Sequence, residues 1–553
     1  GRIYSGRTCY FQGNLGEVER SLTVIKRIVF LGRGVRFFLV KESEICYNLP
    51  MTKKHAYITT AIPYVNGLPH VGHAMDYMLA DVWARYSRQN GHEVRFQAGV
   101  DEHGNKIAAK AASQNQTPQE YVDQTHVNFK KMINELNISV TDFIRTTDAH
   151  HVAAVQYIWQ KLVEAGYIYK GSYEGWYCQG CEAFVTDKEA ADNNGVCPDH
   201  QTPYQRLSEE NYYFKTSAFS DNIRQAIESN KMRIVPEFRK KEFLELMKDG
   251  LKDVSVSRPR KNLSWGVPVP GDDNQVMYVW LDALSNYITV IGYPDRPEEW
   301  QSFWPADVQV IGKDILRFHA GIWPAMLMAL DLPLPKVLLV HGFINSGGMK
   351  MSKSLGNGVG PTDIIPDYGA EAFRYYFLRH VPTQDDGDFT WEKFEAAYNG
   401  ELGNDLGNLV QRVAKMVQSY QAGVIGDAPQ SEHDMGPYRQ AMESYMFDQA
   451  MDEIWLIVRS LNQYIERVQP WQVAKNRDKD PEAESHLSEI LAHACGTLLQ
   501  VSDMLRPFMP QTADKIHDMF ASGVVPSELT PLFPRKYIHT PDPRAPKTES
   551  QVK

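Results

Sequence analysis

No run of 18 or more apolar residues occurs in the 553-residue chain, so no stretch is long enough to cross a bilayer as a helix. An excess of positive charge is also missing. The formal net charge of −10 excludes a surface coated with basic groups, though a local basic groove could still hold RNA. Cysteine is scarce: six in so long a chain do not make a disulfide scaffold. No GxxxxGK[ST] stretch occurs, which excludes a Walker-type phosphate loop. No internal repeat with a period of about 20–50 residues is present, which excludes a solenoid.

What is present is ample apolar material, 43% of residues. Chains beyond about 250–300 residues divide into domains, and two to four are expected here. The first fifty residues stand apart, with eight Lys/Arg against four Asp/Glu in a chain that is otherwise acidic. Glu17, Glu19, Glu42 and Glu44 count against a transit peptide. Arg33 and Arg36 interrupt the one apolar run that could serve as a secretory signal. Residues 1–50 therefore read as an extension outside the fold, and Met51 as the start of the folded region.

From Lys53 onward strands alternate with helices. "HAYITTAI" reads as a strand, "PYVNGLP" as a turn, and "AMDYMLADVWARYSRQNG" as an amphipathic helix with Gly91 closing it. A second strand, "HEVRFQAGV", precedes the polar Asp101-Glu102-His103-Gly104, and the rhythm returns at "DVQVIG" and "KVLLVHGFI". This alternation predicts an α/β domain built on a Rossmann-like parallel sheet, with ligands beyond the strands' carboxyl ends. Its halves would be 51–166 and 265–394, and 167–264 reads as an insertion rich in turns. After about residue 395 strand signals stop. Apolar residues at 451, 454, 455, 458, 461, 465 and 468 make a helical stripe, so 395–540 is expected to be an all-α bundle and 541–553 a disordered tail.

Three motifs carry chemistry. Residues 70–73, HVGH, stand where a strand hands over to a helix. Free N–H groups at that helix end favour an anion, His70 and His73 point the same way three residues apart, and Gly72 leaves room for a ligand. The plainer alternative is a pair of histidines that cap the helix. "GGMKMSKSLGN", residues 347–357, offers Lys350 and Lys353 on a loop able to close over phosphates, against the alternative of a solvated basic loop. Cys178-x2-Cys181-x15-Cys197-x2-His200 has the spacing of a zinc knuckle. Four protein ligands would fill its tetrahedron, which makes one structural rather than catalytic ion.

HxGH followed by KMSKS is the signature of class I aminoacyl-tRNA synthetases. "AIPYVNGLPHVGH", "DEHG", "YVWLDAL", "VIGKDILRFHAGIWPAML", "VHGFINSGGMKMSKSLGN" and "QPWQVAK" together resemble the bacterial methionyl-tRNA synthetases, from about Lys54 to about residue 520. The resemblance implies a methionine–tRNA ligase: adenylation of methionine by Mg²⁺-ATP, then transfer to the terminal adenosine of tRNA(Met). It implies that His70, His73 and Lys353, with Lys350 in support, stabilise the α-phosphate transition state. Gly72 would border the ATP, and Asp314 would hold its ribose. Methionine would lie among Ala61, Ile62, Tyr64, Asp101, Trp280, Ala283, Tyr287, Ile315 and His319, with Asp101 on the ammonium and Arg258 near the carboxylate. Trp280, Tyr287 and His319 would surround the thioether; by pattern alone they are equally ordinary core residues. Asn408, Arg412 and Trp471 would read the anticodon. A monomer in the reducing cytoplasm, bound to no membrane, is the expected context. An HxGH nucleotidyltransferase would be much shorter, and the leucyl, isoleucyl and valyl enzymes carry a far larger insertion. A dead synthetase kept for RNA binding would show damage in HVGH or KMSKS, and both are intact.

Overall fold

The computed structural model describes residues 54–178, 183–198, 201–350, 358–426 and 433–541. Six strands form its central sheet: β1 (His55–Thr60), β2 (Glu93–Val100), β3 (Asp142–Arg145), β4 (Arg233–Val235), β5 (Val308–Gly312) and β6 (Val337–His341). Every neighbouring pair is parallel, in the order β3-β2-β1-β5-β6-β4. Burial on both faces explains why the strands are almost continuously apolar. The chain moves outward from β1 through β2 to β3, crosses to β4 at the opposite edge, and then returns to β5 beside β1. The carboxyl ends of β1 and β5 thus flank the point where strand order reverses, which is where open parallel sheets bind ligands.

Successive β1 residues face opposite sides. Ile58 joins a core with Met75, Phe96 and Phe129, and this core runs on without a break into Trp455, Leu487 and Phe508 of the C-terminal helices. Tyr57 faces a second core with Trp159, Tyr287 and Trp323. Each large side chain so buried contributes about 1.5–3 kcal/mol.

Helix α1 (Val71–Gln89) follows β1 and lies against the sheet. Its buried Ala74, Met78, Ala80 and Val82 give a slim apolar surface suited to that contact. Asn90 closes the helix, and Gly91 follows with φ +81°, a left-handed turn that glycine adopts without strain. Asp81 on α1 is fully buried beside the equally buried Arg374, at 2.8 Å. Arg374 also donates to the carbonyls of Phe508, Pro507 and Leu136 at 2.6, 3.1 and 3.2 Å. One guanidinium therefore ties the helix after β1 to the C-terminal helices.

The segment expected as an insertion contains an antiparallel four-stranded sheet, including Ile168–Cys178 paired along its length with Gln205–Phe214. Arg233–Val235 lies inside the same range but pairs with Val337–Leu339 as the edge of the parallel sheet. Three residues are too few to show a strand period in the sequence. Past residue 390 the described residues hold no further strand. Trp391–Ala397 continues through π-helical Tyr398–Gly407 into α2 (Asn408–Gln421), and α3 (Phe447–Val468) and α4 (Ala483–Leu505) follow. Phe447, Met451, Ile454, Trp455, Val458, Leu461 and Ile465 of α3 are buried. Among the described residues no helix is long and apolar enough to cross a membrane.

Candidate active site

A cavity of about 620 Å³ opens at the carboxyl ends of β1 and β5. Ala61, Ile62 and Tyr64 come from the turn after β1, and all of His70–His73 from the entry to α1. Asp101 follows β2, and Asp314 and Ile315 follow β5. Trp280, Ala283 and Tyr287 come from helix α5 (Trp280–Thr289), and His319 from the helical stretch Phe318–Ile322 that follows β5. Nine of the ten residues expected around methionine thus share one wall system with HVGH. The exception is Arg258. It lies outside the lining, donates to Ser255 Oγ and the Ser257 carbonyl at 2.5 and 2.9 Å, and stacks on Tyr278 at 4.0 Å. Lys353, Cys181 and His200 lie outside the described residues, as do residues 1–50, and so does the tail beyond residue 541.

HVGH caps the helix it begins, the plainer of its two sequence readings. His70 is the N-cap of α1: its Nδ1 accepts from the Gly72 N–H at 3.1 Å, and His73 Nδ1 accepts from the His70 N–H at 3.3 Å. The rings stack with centroids 3.7 Å apart. Because each Nδ1 accepts, each neutral ring carries its proton on Nε2, the form that can donate to an anionic oxygen. Gly72 has a reason that the sequence alone does not show. A Cβ there would lie 2.9 Å from Cε1 of His70, so the space that glycine leaves is taken by the capping imidazole. Gly312 acts similarly, since its Cβ would meet Asp314 Oδ1 at 2.8 Å.

Asp101 is buried, and its backbone pairs with the turn after β1 through Asp101 N–H to Pro63 O (2.9 Å) and Val65 N–H to Asp101 O (3.2 Å). Burial raises its carboxyl well above the usual range, and the nearby Asp282 raises it further, against the pull of His103. Asp282 is treated oppositely. Burial alone would raise it, but His103 Nδ1 at 2.7 Å and His151 Nε2 at 3.0 Å hold it at about 2. Of two neighbouring buried carboxyl groups, Asp282 already has two imidazole partners, whereas burial and the Asp282 charge oppose ionisation of Asp101 until a cation joins it.

His319 is buried, and burial outweighs its hydrogen bond to the Ile315 carbonyl to lower it to about 4. It is therefore neutral at physiological pH. Nδ1 donates to that carbonyl at 3.0 Å, so Nε2 accepts from the Tyr287 hydroxyl at 2.8 Å. Trp280 stacks on Phe318 at 3.7 Å and meets His319 edge-on at 6.5 Å. The result is an uncharged aromatic lining suited to a polarisable apolar group. Val279, just before Trp280, has φ +38° and ψ −78°, costly for a β-branched residue. It turns α5 so that Trp280 enters the cavity wall.

In the helical region Asn408 and Arg412 line a separate groove of about 580 Å³ with Asn404, Lys415, Tyr420 and Asn462. Arg412 pairs with Glu466 and donates to Asn462 Oδ1 at 3.0 Å. Trp471 does not line the groove; it is half-buried against the main core.

Comparison with known proteins agrees with this geometry. The family model described as "tRNA synthetases class I (M)" matches residues 56–207 and 200–414. The methionine–tRNA ligase of Streptomyces coelicolor is 43% identical over 493 residues, 86% of this chain and 90% of the relative. The chain belongs to the class I methionine–tRNA ligase family. The Brucella melitensis member is 40% identical, spanning 85% of this chain and 93% of its own. Among solved structures, Mycobacterium tuberculosis methionyl-tRNA synthetase in complex with methionyl-adenylate superposes with a TM-score of 0.80 at 35% identity. That match covers 87% of this chain and all of the other. The apo form of the same synthetase gives 0.76 at 32% identity, over 89% of this chain and all of its own.

Within this family member's cavity, sequence reasoning passed over Asp76, Asn286, His341, Thr362 and Asp363. Asp76 had a usable signal: it lies one helical turn beyond His73 and so on the same face. His341 had none, since it ends an apolar strand like any other polar residue.

Proposed function

We propose that the chain condenses methionine with ATP to methionyl-adenylate, releasing diphosphate, and passes the methionyl group to the 3′-terminal adenosine of tRNA(Met). The single observation that supports this most is one cavity holding three features together. They are the HVGH donors at a helix start, a buried carboxyl whose raised pKa a cation would lower, and a neutral aromatic lining.

In this reading the Asp101 carboxylate pairs with the substrate ammonium and aims the carboxylate at the α-phosphate. Trp280, Tyr287 and His319 enclose the thioether, each contact contributing about 0.3–1.5 kcal/mol. Ala61, Ile62, Tyr64, Ala283 and Ile315 shape the rest of that pocket. Asp314 accepts from the ribose, while Gly72 lets His70 hold its cap. As the α-phosphate is attacked in line and diphosphate departs, His70 and His73 donate from Nε2, and Lys350 and Lys353 neutralise the leaving charge. Mg²⁺ arrives with ATP and neutralises its phosphates. Arg258, whose Nη1 donates to Ser255 and Ser257 and whose guanidinium lies over Tyr278, is not among the residues that line the cavity.

Cys178 and Cys197 suit one structural zinc with Cys181 and His200. Both are buried in a small cluster with Ala190 and Tyr204, as thiolate ligands of a closed site would be. The groove with Asn408 and Arg412 offers amide and guanidinium groups to unpaired anticodon bases, and Trp471, outside that groove, would stack on a further base. A cytoplasmic monomer, with the zinc-bearing segment inserted into the sheet domain and a helical anticodon domain after about residue 395, completes the reading. Charging assays test the transfer step. Labelled methionine should attach to a transcript with a CAU anticodon and fail on the same transcript with its anticodon changed. Equal charging of both would overturn the anticodon assignment, and charging of neither would overturn transfer.

A further inference from the structure

His341, at the end of β6, is buried and lines the cavity. Its Nδ1 lies 2.8 Å from the Gly342 carbonyl, which can only accept, and its Nε2 lies 2.7 Å from Asp76 Oδ1. Nδ1 therefore donates, and beside an ionised Asp76 carboxylate Nε2 donates as well, which makes the ring an imidazolium. Burial alone would lower this histidine, but the Asp76 charge and hydrogen bond, the Gly342 carbonyl and Asp314 together raise it.

The two partners come from places the chemistry must keep in register. Asp76 stands one turn into α1, on the face that carries His73. His341 is the last residue before the loop that leads through Ile344–Ser346 to Met349–Lys350, the arm of the KMSKS hairpin. A Cβ on Gly312 would lie 3.9 Å from Nε2 of His341, so the ring also borders the turn that carries Asp314.

We propose that Asp76 and His341 are a positioning pair for the adenylation step. Their charge-assisted hydrogen bond clamps the start of α1 to the end of β6 beside the place where phosphate charge develops. This rests on the methionine-activating reading above. Neither residue is placed on a reacting atom; the pair acts through HVGH and the hairpin. The titratable groups that share its cavity are Asp314, Asp363, Asp101, His70, His73, His319, Tyr64 and Tyr287.

Methionine-dependent ATP–pyrophosphate exchange tests the pair in the full chain with Asp76→Asn, His341→Gln and Asp76→Glu. The first two are expected to lower kcat roughly ten- to a hundredfold, as a lost charge-assisted bond and a misplaced reacting group would. KM for methionine should stay near wild type, and Asp76→Glu should recover most of the rate. The pH profile supplies a readout that packing alone would not move. Without the Asp76 carboxylate, His341 loses its proton at lower pH, so the alkaline limb of Asp76→Asn should shift downward. Wild-type kcat and an unshifted limb in both Asp76→Asn and His341→Gln would overturn the pair. So would equal losses in kcat, methionine KM and thermal stability that Asp76→Glu does not reverse. Wild type inactive with methionine would instead overturn the activity on which the pair rests.

Discussion

Tyr287 donates its hydroxyl hydrogen to Nε2 of His319 across 2.8 Å, and His319 donates its Nδ1–H to the Ile315 carbonyl at 3.0 Å. The chain of donors runs one way and leaves the imidazole uncharged, because burial holds it at about 4. An uncharged pair can border a thioether without asking it to solvate an ion.

Tyr287→Phe should therefore leave His319 Nε2 buried without its donor. A lost neutral hydrogen bond costs about 1 kcal/mol, so KM for methionine should rise roughly fivefold while KM for ATP stays put. Steady-state exchange kinetics check this, and a variant with unchanged methionine KM would remove the pair from the pocket.

Methionine affinity should rise with pH. Asp101 is raised by burial and by Asp282 in the open cavity, so at low pH it holds a proton and cannot pair with an ammonium. As pH climbs through that raised pKa the carboxylate forms and binding tightens. Calorimetry in two buffers of different ionisation enthalpy should show a proton released on binding at the lower pH values. Proton uptake would contradict the assignment.

Gly72→Ala should uncouple HVGH without unfolding the protein. The new Cβ sits 2.9 Å from the His70 ring, which must leave its cap. Loss of an N-cap costs about 1 kcal/mol, a small drop in Tm, whereas misplacing a donor should lower exchange kcat by more than tenfold. A variant that loses stability but keeps its rate would show that the histidines only cap the helix.

Arg374→Met should destabilise the fold by about 3–5 kcal/mol, since it strands the buried Asp81 carboxylate. In wild type burial alone would raise Asp81, but Arg374, Arg85 and the Ser139 donors outweigh it and lower it. A depressed carboxylate contributes stability that is fully present above its unfolded pKa of about 3.9. That contribution is lost as pH falls through the folded value. Chemical denaturation as a function of pH should show this acid loss in wild type and not in Arg374→Met, Asp81→Asn.

How much of this was legible depends on how local each signal is. HVGH, the Gly91 stop and the apolar stripe of α3 each lie within a few turns of chain, and the structure follows the sequence there. β4 did not announce itself, because Arg233–Val235 is three residues long and takes its strand character from pairing with β6. The Asp76–His341 pair spans 265 positions, and only the parallel sheet brings its ends together. Arg258 matched a family position yet turned toward Tyr278. Trp280, Tyr287 and His319 were indistinguishable from core until the cavity placed them on one wall, since packing and recognition use the same side chains.

The most direct measurement is ATP–pyrophosphate exchange with each of the twenty amino acids in turn, for wild type and Lys353→Ala. Exchange should depend on methionine and be largely lost in the variant. Exchange driven by another amino acid would contradict the aromatic pocket, and no exchange with any of the twenty would contradict the enzyme.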